Sequence, residues 1–105
     1  MQIATIKSAI RHRHLLKLRY QHQPGQRTFA PHVIFHGEGR TILVAGVQQF
    51  NPDKPLEKNQ WRTFDLAKLA QVNETRDGFL VDREYDRTAK TYEGGIISDV
   101  IIPTL

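Results

Sequence analysis

The segment RTFAPHVIF, Arg27 to Phe35, constrains this chain more than any other stretch. Its aromatic and β-branched residues are those of a strand, yet Pro31 stands at its centre and has no N–H to offer a ladder. A proline there is confined to an edge, a bulge or a strand end. The run therefore predicts a strand over Arg27 to Ala30 that bends at Pro31 and continues over Val33 to Phe35 in a new direction. Bends of this kind turn the corners of small β-barrels and re-aim the next side chain, here His32.

The neighbouring sequence supplies partners for such a strand. Ile3, Ile6 and Ile10, with Ala9 beside them, recur at the spacing of one helical face, so residues 2–13 read as a short amphipathic helix. Its basic end, RHRH, complements the helix dipole. Leu16, Leu18 and Tyr20 alternate with Lys17 and Arg19, the period of a half-buried strand. QPGQ, Gln23 to Gln26, pairs Pro with Gly as a type II turn requires and predicts an antiparallel link to Arg27. After a turn at HGEGR, the apolar TILVAGVQ reads as a central strand. Gln49 to Gln60, with two prolines, is expected to be a long connection, a length more often functional than not.

WRTFDL resumes strand alternation with apolar residues on both faces, and LAKLAQV predicts one helical turn before another strand. Asp-Gly in TRDGFLV is a hairpin signal, and Gly94-Gly95 suggests a hinge. The division expected is a domain over residues 1–86 and a tail over 87–105, whose IISDVIIP would be a capping or pairing strand. A strand that apolar has to be covered, and a homodimer is one way of covering it.

Charge divides the chain unevenly. Residues 1–40 hold seven Lys or Arg against one acid, a net +6, while residues 41–105 hold eight against ten acids, a net −2. All five histidines fall in the basic part. Such segregation points to an anionic ligand or polyanion facing the N-terminal part, or to a solvated basic edge. With no cysteine, the chain has no disulfide or thiolate site, which suits a reducing cytoplasm. No apolar run approaches a membrane span, and no phosphate loop, nucleophile elbow or zinc-protease helix is present, so no enzyme and no cofactor are expected. A metal site is not expected either: His12 and His14, at i and i+2, would point apart on a helix, and no carboxylate is spaced to join them.

The order IKSAIRHRHLLKLRYQ, GQRTFAPHVIF, TILVAG and WRTFDLAKLAQV resembles the WYL domain of bacterial regulators. The likeness runs from about Ile3 to about Val81 and departs at the name-giving motif, where Thr41, Ile42 and Leu43 keep only the leucine. The resemblance implies a mainly β fold, an SH3-like or Sm-like β-barrel with a leading helix. It also implies a non-catalytic regulatory domain that binds an anionic ligand, a nucleotide or single-stranded nucleic acid, and modulates transcription or a partner protein. Carried onto matching positions, the ligand-binding set is His32, Arg62, Arg27 and Tyr20. Guanidinium groups on adjacent strands grip phosphate bidentately, and an aromatic ring offers a base a stacking surface. The alternative is a protein–protein assembly module that uses the Gln49–Gln60 connection and the apolar tail from Ile96 to Ile102.

Overall fold

A computed structural model describes residues 2–101 of the chain. It is mainly β: helix α1 (Ile3–His12) precedes strands β1 (His14–Tyr20), β2 (Arg27–His36), β3 (Ile42–Phe50), β4 (Gln60–Asp65), β5 (Leu69–Gly78) and β6 (Ile96–Asp99). Two single 3-10 turns, Leu66–Lys68 and Lys90–Tyr92, complete the regular elements of the described residues. The six strands form one antiparallel sheet in the order β4-β3-β2-β1-β5, with β6 added against β2. Closure into a barrel is not among the pairings of the described residues, because β4 and β5 stand at the two ends of that order.

Strand β2 is the spine, and its length explains the topology. Its first half pairs with β1 (Leu16 with Phe29, Leu18 with Arg27), its second half with β6 (Val33 with Asp99, Phe35 with Ile96), and β3 runs beside both. Phe29 and Ile34 both face the main core although they are five positions apart, a spacing that puts two residues on opposite faces of a regular strand. The register shift between Pro31 and Val33 supplies the missing residue, so the expected bend is a bulge at His32. Gly46, the partner of Pro31, permits it: a Cβ there would lie 2.0 Å from the Ala30 carbonyl oxygen.

The main core lies between α1 and one face of the sheet, where Ile6, Ala9 and Ile10 meet Leu16, Leu18, Phe29, Ile34, Phe64 and Val72. Burying that apolar stripe is what holds so short a helix in place. A second cluster, Val33, Phe35, Ala45 and Tyr92, lies on the opposite face under the segment between β5 and β6. Every residue of β2 from Phe29 to Phe35 is therefore buried.

Several local expectations change. The hydrogen-bonded turn after β1 runs from Tyr20 to Gln23, with Gln21 at φ 48°, and not through QPGQ. Asp77-Gly78 makes no hairpin; β5 continues through it, and Phe79 leaves the sheet after bonding to Arg13. Gly94 and Gly95 form a close corner instead of a free joint: a Cβ on Gly94 would lie 2.6 Å from the His36 carbonyl oxygen, and Gly95 has φ 114°. The tail pairs with β2 of its own chain, so Ile96–Asp99 is part of the sheet that residues 1–86 build. The end of the expected strand, from residue 102 on, lies outside the described residues.

Candidate anion-binding site

Three of the four nominated ligand residues come together, and the fourth does not. Tyr20 ends β1, Arg27 begins β2, and Arg62 lies on β4, whose alternation sends Trp61 to the opposite face. Arg27 and Arg62 line one cavity of about 180 Å³ with Gln23, Gln48, Asn51 and Lys54. Asp53 and Glu57, from the connection between β3 and β4, border the same cavity. That connection was expected to matter, and its turns bring Lys54 to the rim: Asn51 accepts from the Lys54 N–H at 3.0 Å, and its side chain holds the Asp53 N–H at 3.0 Å.

Arg27 is held from several sides. Its Nη1 donates to the buried Gln48 Oε1 at 3.0 Å and its Nη2 to Gln23 Oε1. Its guanidinium lies over the rings of Tyr20 and Phe64, 5.6 and 5.5 Å from their centroids. Tyr20 thus supports Arg27 and packs against Phe64 at 5.4 Å, so it serves as the platform for the cation before it serves any base. Burial and the nearby Arg62 guanidinium pull the Arg27 pKa down, and Asp53 opposes them. Even so, an arginine stays charged. One of its donors, Nε, is buried without a hydrogen-bond partner, a deficit that costs about 1–3 kcal/mol.

Arg62 is looser. It donates to Gln60 Oε1 at 3.0 Å and to the Trp61 carbonyl at 3.2 Å, and its contact to Glu57 is long, 3.7 Å. Two guanidiniums thus line one cavity, one fixed and one loosely paired, an arrangement chemically suited to an oxyanion.

His32 is withdrawn from this set. The bulge re-aims it as anticipated, but into the protein, where it is fully buried. Nδ1 lies 2.8 Å from the Ala30 carbonyl oxygen, and Nε2 accepts from the Asp82 N–H at 3.0 Å. The carbonyl can only accept and the N–H can only donate, so the ring is neutral with its proton on Nδ1. Burial lowers its pKa, and the Ala30 bond and the Asp82 charge only partly offset this. Trp61, Phe79 and Tyr85 surround it, with ring centroids 5.3, 5.2 and 6.0 Å away.

RTFAPH carries no sign of that enclosure, because its outer wall comes from the segment after Gly78. Tyr85 is fixed by donating to Asp99 Oδ2 at 2.9 Å, and Arg87 pairs with the same oxygen at 3.0 Å. Burial, then this carboxylate, pushes the Tyr85 phenol well above its usual range and keeps it a neutral donor. The expected geometry of His12 and His14 also changes. Arg13 ends α1 in the left-handed conformation, so His12 and His14 converge instead of diverging, and Glu74 of β5 reaches both.

Among the described residues no helix is long and apolar enough to cross a membrane. No curated protein and no solved structure matches the chain. The model of one family, the WYL domain, matches residues 2–74, which contain α1, the spine strand and all of Tyr20, Arg27 and Arg62. The chain belongs to the WYL-domain family, in general a family of regulatory, ligand-binding domains.

Proposed function

We propose that this domain is a non-catalytic sensor that holds one phosphate group of a nucleotide or of single-stranded nucleic acid between Arg27 and Arg62. The observation that carries the reading is the convergence of two arginines from separate strands on one small polar cavity, with Lys54 at its rim and the Arg27 Nε still unpartnered. A volume of about 180 Å³ suits a single phosphoryl group and leaves sugar and base outside, over the rim. On binding, the anion replaces Glu57 as the partner of Arg62, so the β3–β4 connection is freed to move. That movement is the signal passed to a partner regulator or to the transcription machinery, in the cytoplasm, the compartment a cysteine-free chain suits.

The test is fluorescence anisotropy of a labelled single-stranded oligonucleotide, with ATP as competitor, at low and high salt. Binding should weaken steeply with salt. Arg62→Ala should weaken it about 10- to 100-fold, the loss expected for charge-assisted hydrogen bonds. Equal affinity in Arg62→Ala and wild type, or no binding of either ligand at low salt, overturns the proposal. The latter outcome would favour the assembly reading, which has its own observation: Leu56, in the β3–β4 connection, is 96% exposed.

A further inference from the structure

At the other end of β1 the chain gathers a different chemistry. His14 and Tyr20 bound the strand, so the two ends stand roughly 20 Å apart at the usual rise per residue. His12 is the last residue of α1, Arg13 turns the backbone at φ 56° and ψ 48°, and His14 opens β1. A second irregularity lies directly opposite. His14 pairs with Gly78 while Leu16 pairs with Glu74, a bulge that swings the Glu74 carboxylate toward both rings.

Their joint result is that His14 Nδ1 lies 2.8 Å and His12 Nδ1 3.4 Å from the same oxygen, Glu74 Oε2. Ser8 Oγ stands 3.3 Å from that same His12 nitrogen, Nδ1. One ligand atom from each of the three residues lies within 4.8 Å of the other two. A tetrahedral ion with bonds of 2.0–2.1 Å separates its ligands by roughly 3.3 Å, so side-chain rotations of about 1 Å complete the set. Arg13, the residue between the histidines, is not in the way: its Nη2 donates to the Val100 carbonyl at 3.2 Å.

We propose that His12, His14 and Glu74 form a binding site for a borderline divalent transition ion of the zinc type. Two imidazoles and one carboxylate suit Zn²⁺, Ni²⁺ or Cu²⁺ and do not suit Mg²⁺ or Ca²⁺, which take oxygen ligands. The side chains of His12, His14 and Glu74 are 48%, 31% and 22% exposed, so the ion enters from solvent and keeps water in its remaining position. Coordination replaces two shared hydrogen bonds and pins the end of α1 to β5, residues 62 apart in sequence. The ion therefore acts as a clip on the helix that covers the main core.

The experiment uses the full chain without a histidine tag, treated with chelator, and titrates ZnCl2 by calorimetry at pH 7.5. One equivalent should bind, and saturating zinc should raise Tm by at least about 5 °C. His14→Ala and Glu74→Gln, both at solvent-accessible positions, should weaken binding at least tenfold. Their Tm values without metal show that they fold. Nitrogen-15 NMR of the imidazoles is the second readout: zinc should shift His12 and His14 and leave His22, His36 and His32 unmoved. No binding up to millimolar zinc overturns the proposal. So does equal affinity in wild type and both variants, which would put the ion elsewhere.

Discussion

The Arg27–Arg62 cavity and the His32 cluster are built from the same two strands, β2 and β4, and treat polar groups in opposite ways. Around His32 the buried polar groups are paired internally: both ring nitrogens on backbone, Tyr85 and Arg87 Nε on Asp99. Around Arg27 one donor is left without a partner, and Arg62 has only a loose anion beside it. A satisfied buried network rigidifies, whereas an unsatisfied charged one is held at a cost. The neighbours Trp61 and Arg62 mark the boundary, one packing on His32 and the next lining the cavity.

The largest effect expected tests the closed half. His32→Ala should cost about 3–5 kcal/mol, since it leaves a cavity among three aromatic rings and strands the Asp82 N–H. Urea unfolding measures it. A loss under about 1 kcal/mol, with anion affinity falling instead, would erase the contrast between the regions. Gly46→Ala should follow with about 1–3 kcal/mol, because its methyl must displace the Ala30 carbonyl that His32 uses. In that variant the imidazole NMR signal of His32 should also change, as the Ala30 bond is strained; an unchanged signal would separate the bulge from the histidine.

Pro31 shows how far the chain can be read from its letters. Proline chemistry is local, so the bend could be placed to the residue, and the period-2 runs of β1 and β4 could be recognised in the same way. The direction of His32 could not, because it depends on Phe79, Tyr85 and Asp82, about 50 positions downstream, and nothing in RTFAPH encodes them. The Arg27–Arg62 pairing follows from sheet order, which the alternation of single strands leaves open. His12 and His14 failed for a third reason. A helix was carried one residue too far, and a left-handed Arg13 reversed the geometry on which their exclusion rested.

A smaller effect separates the two regions by pH. His32 is neutral in the folded protein with a lowered pKa, while in the unfolded chain it titrates near 6.5. The unfolded state therefore binds the extra proton first. Stability from this group is complete above about pH 6.5 and declines as pH falls through the unfolded value toward the lower folded one. Asp82, the acid beside the ring, tempers the decline. Urea midpoints at pH 7.5, 6.5 and 5.5 should fall in wild type and fall less in His32→Asn. Parallel curves would mean that the decline belongs to other groups.

The smallest effect distinguishes the two arginines from each other. Arg27→Ala removes a guanidinium that covers Tyr20 and Phe64 and satisfies the buried Gln48, so it should cost about 1–2 kcal/mol. It also removes the unpartnered Nε, which returns part of that loss. Arg62→Ala takes away a half-exposed side chain whose ion pair is 3.7 Å long, and its stability should stay within about 0.5 kcal/mol of wild type. If Arg62 is a ligand contact and little else, its replacement weakens oligonucleotide or ATP binding at nearly constant Tm, while Arg27→Ala lowers both. Equal destabilisation by the two variants would make Arg62 a structural cap over the end of the core, and the cavity would lose the loosely held charge that makes it a site.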